Sequence, residues 1–412
     1  MTRFVTQHFV SAVLSIVVKV CILIYVCQKR QQVQNRLSAD SEFLTLTMNK
    51  FLNDMEREKP TRFTDQQLRI ATDNFSNFLG SGGYGSVYKG VFSNGTVVAV
   101  KVLNGSSVKK IEEQFKAEVG TIGRIHHFNL VRLYGFCFER NMIALVYEYM
   151  GNGSLERYLV NDKKTLGYEK LHEIAVGTAR GIAYLHEECQ QRIVHYDIKP
   201  ENILLDGNFN PKVADFGLAK LCNRENTHLT LTKGRGTPGY AAPELWIPNF
   251  PVTHKCDVYS FGVLLFKIMG SRRNTDKKLA ESEEWFPMLV WKKYDTGQLE
   301  ELITDCGIEQ RSKDIAERMV KVGLWCVQYR PEFRPVIGLV VKMLEGSVEI
   351  PEPMNPFQHM MGEIVIAHRV QESQTYTATT LFGSSIMVTA SNIERSTPIM
   401  SKYEIELAPS TL

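Results

Sequence analysis

The chain has 412 residues, 44% of them apolar and 23% charged, ordinary globular values that exclude a mostly disordered, collagen-like or multi-span membrane chain. Forty-eight Lys and Arg against 45 Asp and Glu leave a net charge of +3, too balanced for a nucleic-acid binder held by phosphate neutralisation. The 8 cysteines include no Cys-x-x-Cys pair, which excludes a zinc-finger pattern and a small disulfide-stapled protein. Length alone gives a prior of two or three domains.

Phe9–Cys27 (FVSAVLSIVVKVCILIYVC) is apolar except for Ser11, Ser15 and Lys19. As a helix it spans about 28 Å, close to the hydrocarbon thickness of a bilayer. Lys29, Arg30 and Arg36 follow, against Arg3 upstream, so the positive-inside rule places the long C-terminal part in the cytosol. A mid-span Lys costs a few kcal/mol, and a cleaved signal sequence or an interfacial helix stay open as alternatives. The expectation is a short extracytosolic segment (1–8), a single transmembrane helix (9–27) and a polar juxtamembrane linker (28–74). Eight residues outside are too few for a ligand-binding domain.

From 75 to 346 the pattern becomes dense and globular. Val97–Leu103, Val131–Phe138 and Ile143–Tyr149 read as strands separated by turn signals such as Ser93-Asn94-Gly95. After Gly151 helical periodicity takes over. Tyr168–His186 puts Leu171, Ile174, Ala175, Ile182 and Leu185 on one face, and Val258–Met269 is apolar nearly all round, as a buried core helix would be. A small sheet lobe is therefore expected to precede a helical lobe. Past Gly346, Pro351-Glu352-Pro353 opens a flexible Ser/Thr-containing tail (347–412).

Gly80-Ser81-Gly82-Gly83-Tyr84-Gly85-Ser86-Val87 is a G-x-G-x-x-G-x-V run. Such glycines let backbone N–H groups approach phosphates, but alone they also occur in hairpins and dinucleotide-binding turns. Val87–Val91 reads as a strand where a dinucleotide fold wants a helix. Lys101 follows in Val98-Ala99-Val100-Lys101, on the same strand face as Ala99. Glu118 lies on the inward face of a helix read over Ile111–Gly123, and an inward carboxylate needs a cation, which points to Lys101. His195-Tyr196-Asp197-Ile198-Lys199-Pro200-Glu201-Asn202 and Asp215-Phe216-Gly217 complete the set. Asn202 and Asp215 supply hard oxygen ligands for a divalent cation, and Asp197 an acceptor for a hydroxyl proton.

Together with Ala242-Pro243-Glu244, these motifs in this order resemble a eukaryotic protein kinase over roughly 75–346. Leu145–Leu155 (LVYEYMGNGSL) and Asn129-Leu130-Val131 are similar to plant receptor-like serine/threonine kinases, of the leaf-rust-resistance-kinase-like or S-domain lectin branches. The resemblance implies an α+β bilobal protein-kinase fold: a small, mainly antiparallel β lobe with one helix and a larger, mainly helical lobe, preceded by the transmembrane helix. It implies ATP and Mg2+ as cofactors, with Mn2+ as the alternative ion, and protein substrates. Gly80, Gly82, Gly83, Gly85, Val87, Ala99, Lys101 and Leu204 are then nucleotide-binding residues. Glu148 and Met150 offer hinge backbone to adenine, with Tyr147 as gatekeeper. Lys199 steadies the transferred phosphate; Ile122, Leu133, His195 and Phe216 stack as a spine; Asp257 braces the catalytic loop; Glu244 pairs with Arg334. Lys199 and Thr237 point to serine/threonine specificity. Expected partners are a membrane co-receptor or other receptor kinases and the bilayer through 9–27, at the plasma membrane, with no nucleic acid.

A binding-only scaffold of the same fold is the alternative. Lys101, Glu118, Asp197, Asn202 and Asp215 are all present, which ranks it second. One departure matters: Tyr196 stands before Asp197 where many kinases carry Arg, the cation that pairs with a phosphorylated loop. Phosphorylation of Thr227, Thr230 or Thr232 is then expected not to gate activity through that site. The six later cysteines read as reduced packing or surface residues, and Cys27 as an interfacial residue or a palmitoylation site.

Overall fold

The computed structural model describes Lys29 and residues 60–360 apart from 83–84, 105–107, 124, 160–165, 223–235, 248–249 and 272–284. The expectations for the 9–27 span, Cys27, Gly83, the three loop threonines and the tail beyond 360 fall outside these residues. No helix among the described residues is long and apolar enough to cross a membrane.

Among the described residues the small lobe is a six-stranded sheet with two helices. Its strands are β1 (Thr61–Arg62), β2 (Phe78–Gly82), β3 (Gly85–Val91), β4 (Val97–Leu103), β5 (Leu133–Glu139) and β6 (Met142–Glu148), in the order β1-β5-β6-β4-β3-β2. Only β1 pairs parallel, against β5. Its approach requires a residue without a side chain at Gly135, where a Cβ would sit 2.0 Å from the Thr61 carbonyl oxygen. Gly85 answers a similar demand at the start of β3, with φ +141° and the Val102 carbonyl oxygen 2.1 Å from where a Cβ would be.

Alternation along β4 divides the lobe. Val98 and Val100 are fully buried in a core with Leu68, Cys137, Ala144 and Val146, which leaves Ala99 and Lys101 on the opposite face, toward the cleft. Helix α1 (Asp65–Ala71) supplies Leu68, and α2 (Val108–Ile122) packs Phe115 edge-on against Phe136 at 5.6 Å.

Helix α1 and β1 correct two expectations: the small lobe has two helices, and residues 61–72 belong to it rather than to a coreless linker. The helix has seven residues and buries only Leu68, too little for periodicity to show. It is fixed instead by a reciprocal cap, in which the Thr64 N–H donates to Gln67 Oε1 (2.9 Å) and the Gln67 N–H to Thr64 Oγ1 (3.2 Å).

The large lobe follows β7 (Gly153–Ser154) and α3 (Glu156–Leu159). Helix α4 (Tyr168–Ala183) ends in a π turn, Tyr184–Glu188. Short strands β8 (Arg192–Val194), β9 (Ile203–Leu205), β10 (Pro211–Val213) and β11 (Lys220–Cys222) form two small sheets, β10-β9-β7 and β11-β8. Helix α5 (Lys255–Gly270) is buried almost all round, as its sequence predicts. It packs against α4, α6 (Phe286–Asp295) and α8 (Lys313–Cys326); α7 (Leu299–Asp305) packs on α6 and α8, and α9 (Ile337–Glu345) on α4 and α8.

Residues 351–357 are a strap on the large lobe, which corrects the expectation of a flexible tail from 347. Trp325 Nε1 donates to the Pro351 carbonyl (3.0 Å), Gln328 Nε2 to that of Met354 (2.8 Å), and Phe357 is buried against Trp285. Three prolines and isolated anchors hold it, with no periodicity for a sequence reading to find.

Candidate active site

A cavity of about 390 Å3 lies between the lobes. Gly80, Gly82, Gly85, Val87 and Ala99 line it from the sheet, Glu148 and Met150 from the connection after β6, and Asn202, Leu204 and Asp215 from the large lobe. Lys101 and Glu118 close its inner end.

Lys101 is the junction of that end. Its Nζ lies 2.7 Å from Glu118 Oε1 and 3.0 Å from Asp215 Oδ1. Burial works against its charge, but the two carboxylates outweigh this and hold the ammonium well above the usual lysine range. Burial also pushes Asp215 upward, and the Lys101 cation overrides it, keeping the carboxyl below its ordinary value. Glu118 is 0% exposed and also accepts Gln114 Nε2 (3.1 Å) and the hydroxyl of Tyr147. Burial first, and then that carboxylate, push the Tyr147 phenol up, so it is a permanent donor. Sequence reading missed this bond, which joins residues 29 apart; the Gln114 contact has the i, i+4 spacing that a helix makes visible.

The second group is the segment from His195 to Asn202. Asp257, fully buried on α5, accepts the backbone N–H groups of His195 and Tyr196 (2.8 Å each) and His186 Nε2 (2.9 Å). His195 Nδ1 accepts the Asp197 N–H (3.2 Å) and its Nε2 lies 3.0 Å from the Ala214 carbonyl, contacts that require the Nε2–H tautomer. Its ring meets Phe216 at 4.8 Å, and Ile122 and Leu133 are buried. Tyr196 and Asp215 have φ of +67° and +64°, non-glycine left-handed residues of the kind that gather at functional sites.

These constraints present the Asp197 carboxylate at the cleft. Lys199 Nζ and Asn202 Nδ2 each lie 2.9 Å from its Oδ2, and Thr237 Oγ1 donates to its Oδ1 at 2.6 Å. Lys199 also donates to Thr237 Oγ1 at 2.7 Å. The carboxylate therefore already accepts an alcohol hydroxyl steadied by a neighbouring ammonium. Asp197 and Lys199 are not among the residues that line the cavity.

A protein kinase domain family matches residues 74–343. This chain belongs to that family. The chain is 43% identical to the rust resistance kinase Lr10 of Triticum aestivum over 364 residues, 86% of this chain and 55% of that protein. It is 45% identical to a G-type lectin S-receptor-like serine/threonine-protein kinase of Arabidopsis thaliana over 318 residues, 76% of this chain and 38% of the relative. A leaf rust 10 disease-resistance locus receptor-like protein kinase-like protein of the same plant is 44% identical over 304 residues, 73% of this chain and 47% of the relative. The chain thus spans about half or less of the curated relatives it matches. Both branches named on sequence resemblance are among them.

In this kinase domain a divalent cation has two donor side chains to meet. Asn202 and Asp215 are adjacent, because the Ala214 N–H donates to the Asn202 carbonyl at 2.9 Å. The Asn202 amide nitrogen is held by Asp197, which leaves its side-chain oxygen for an ion. One carboxylate and one amide oxygen fit Mg2+, which keeps waters and takes further ligands from substrate phosphates. Among the described residues no cluster of three or more His, Cys, Asp or Glu side chains forms a protein-only cage.

His254 packs on His186, which bonds the Asp257 carboxylate that holds the His195–Asn202 segment. It stands at the N-cap position of α5 without a side-chain capping bond, its ring 5.2 Å from that of His186 and its Nδ1 3.2 Å from Arg192 Nη1. Burial, then His186, Arg192 and Lys255, depress it to about 2. The unfolded chain takes up this proton near pH 6.5 and the folded one refuses it, so the stabilisation is present above about 6.5 and is lost as pH falls. Replacing His254 by Gln should flatten the loss of stability between roughly pH 6.5 and 5, by up to about 1.4 kcal/mol per pH unit. Urea titrations across that range measure the difference in slope.

Proposed function

We propose that this chain is an ATP- and Mg2+-dependent serine/threonine protein kinase, tethered to the plasma membrane by residues 9–27 with its catalytic domain in the cytosol. The observation that carries the reading is Lys101, ion-paired to Glu118 and Asp215 at once, together with an Asp197 carboxylate that already accepts a hydroxyl. In this reading Gly80, Gly82, Gly83 and Gly85 cover the phosphates, and Val87, Ala99 and Leu204 enclose the base, with Glu148 and Met150 backbone at its edge. Lys101 holds the α- and β-phosphates, and Asn202 and Asp215 hold the Mg2+, or Mn2+, that neutralises and orients the triphosphate. Asp197 takes the acceptor hydroxyl's proton while its oxygen bonds to the γ-phosphorus. The bond from that phosphorus to the β–γ bridging oxygen breaks, and ADP leaves. Lys199 screens the charge on the transferred group.

The proposed substrates are proteins, and the proposed partners a membrane co-receptor or other receptor kinases. Incubation of the purified chain with γ-labelled ATP and a protein acceptor should yield phosphoserine and phosphothreonine; labelled phosphotyrosine alone would overturn the specificity. For the anchor, the intact chain should stay in carbonate-washed membranes and a 9–27 deletion should be released.

Loop control follows from Tyr196, which is buried and carries no charge for a loop phosphate. Alanine at Thr227, Thr230 and Thr232 together should retain phosphotransfer within about threefold, a change of about 0.65 kcal/mol at RT ≈ 0.59. Abolished transfer by a folded triple variant, judged by its melting transition, would sink this.

A further inference from the structure

A second concavity, of about 430 Å3, abuts the hinge and shares only Glu148 with the nucleotide cavity. Two cations stand at it, each over an aromatic face: Arg132 lies 5.3 Å from the Tyr134 ring centroid, and Lys212 5.5 Å from that of Phe128. The one carboxylate lining the groove is already engaged, since Glu148 Oε1 accepts the Arg132 backbone N–H at 2.7 Å and Lys212 Nζ at 3.1 Å. The Arg132 guanidinium has no carboxylate within ion-pair distance among the described residues, while Phe128 is 63% exposed beside it. A planar fork free to take a carboxylate, next to a large exposed ring, is the pairing that anchors peptide partners.

We propose that this groove docks an acidic peptide segment of a partner protein, its carboxylates on Arg132 and a large apolar side chain on Phe128. Charge decides the occupant. A basic segment would meet two cations and a carboxylate already committed, whereas an acidic one completes the set. Because the groove and the nucleotide cavity meet only at Glu148, the docked segment leaves the cleft open to ATP. The proposal does not depend on phosphotransfer.

The test uses the full-length chain in detergent and a fluorescein-labelled peptide of alternating Glu and Leu, followed by anisotropy. Binding should weaken as salt rises, fall about tenfold in Arg132→Glu and weaken in Phe128→Ala, with phosphotransfer to a generic acceptor unchanged in both. A saturating non-hydrolysable ATP analogue should not displace the peptide. Equal affinity for wild type and Arg132→Glu, equal binding of a peptide with Lys in place of Glu, or displacement by the nucleotide would overturn the proposal. So would binding to phosphatidylserine vesicles that depends on Arg132 in the absence of any peptide binding.

Discussion

Asp215→Asn should reduce phosphotransfer on the order of a thousandfold or more, the scale lost when a preorganised charge stabiliser is removed from an active site, while the melting temperature barely moves. The Asp215 side chain is 27% exposed, so losing its share of the Lys101 pair costs no more than about 1 kcal/mol, the scale of a partly solvated ion pair. Lys101→Ala should lose activity similarly but behave differently as a protein. It strips the cation from a Glu118 side chain that is 0% exposed, leaving a buried carboxylate with only Gln114 and Tyr147 as neutral donors. Removing one partner of a buried pair costs about 3–5 kcal/mol. Adding Glu118→Gln to Lys101→Ala should recover much of that stability and none of the activity. Thermal melts beside γ-phosphate transfer assays separate the two roles. Asp215→Asn with wild-type turnover would refute the metal assignment, and an equal drop in melting temperature for both single variants would refute the account of the ion triad.

The Lys101–Glu118 contact was legible because it follows from a physical necessity: an inward carboxylate on an apolar helix face needs a cation, and one strand residue supplied it. Strand β4 was legible to the residue, since Val98, Val100 and Val102 alternate with the cleft-facing Ala99 and Lys101 in a valine-rich run. Helix α2 came out three residues longer at its N-terminal end than the Ile111 start read from the sequence, because the exposed Lys109 and Lys110 continue the helix without an apolar signal. What stayed hidden depends on single residues brought from far along the chain. Leu68 docks a helix that has no other buried side chain, and Pro351 and Met354 offer only backbone carbonyls to Trp325 and Gln328. The hydroxyl of Tyr147 reaching Glu118 and that of Thr237 bridging Lys199 to Asp197 are likewise products of the fold, with no local pattern to announce them.

The largest stability effect is expected at Arg334. Its side chain is 0% exposed and every N–H donor of the guanidinium is used. Nε donates to the Gln328 carbonyl (2.7 Å), Nη1 to Glu244 Oε1 (2.6 Å) and the Lys255 carbonyl (3.1 Å), and Nη2 to Glu244 Oε2 (2.9 Å) and the Tyr329 carbonyl (3.0 Å). Glu244→Gln should therefore cost about 3–5 kcal/mol, by leaving a buried cation without its charge partner. Arg334→Lys should cost at least as much, because a compact ammonium with three donors cannot reproduce a five-donor fork. Replacing a buried ion pair with apolar residues is often nearly neutral, but here Arg334→Met with Glu244→Leu removes the guanidinium donors of the Gln328 and Tyr329 carbonyls, at about 1–3 kcal/mol each. The double variant should thus stay destabilised by several kcal/mol, and a double-mutant cycle from urea unfolding measures it; wild-type stability in the double variant would show that the carbonyls find other partners. Activity should follow the same path. Glu244 lies in the turn Pro243–Leu245, a few residues after the Thr237 that steadies Asp197 and Lys199. At temperatures where Glu244→Gln is still folded, kcat/KM for a protein acceptor should fall while KM for ATP holds, since the cavity's own lining residues are untouched.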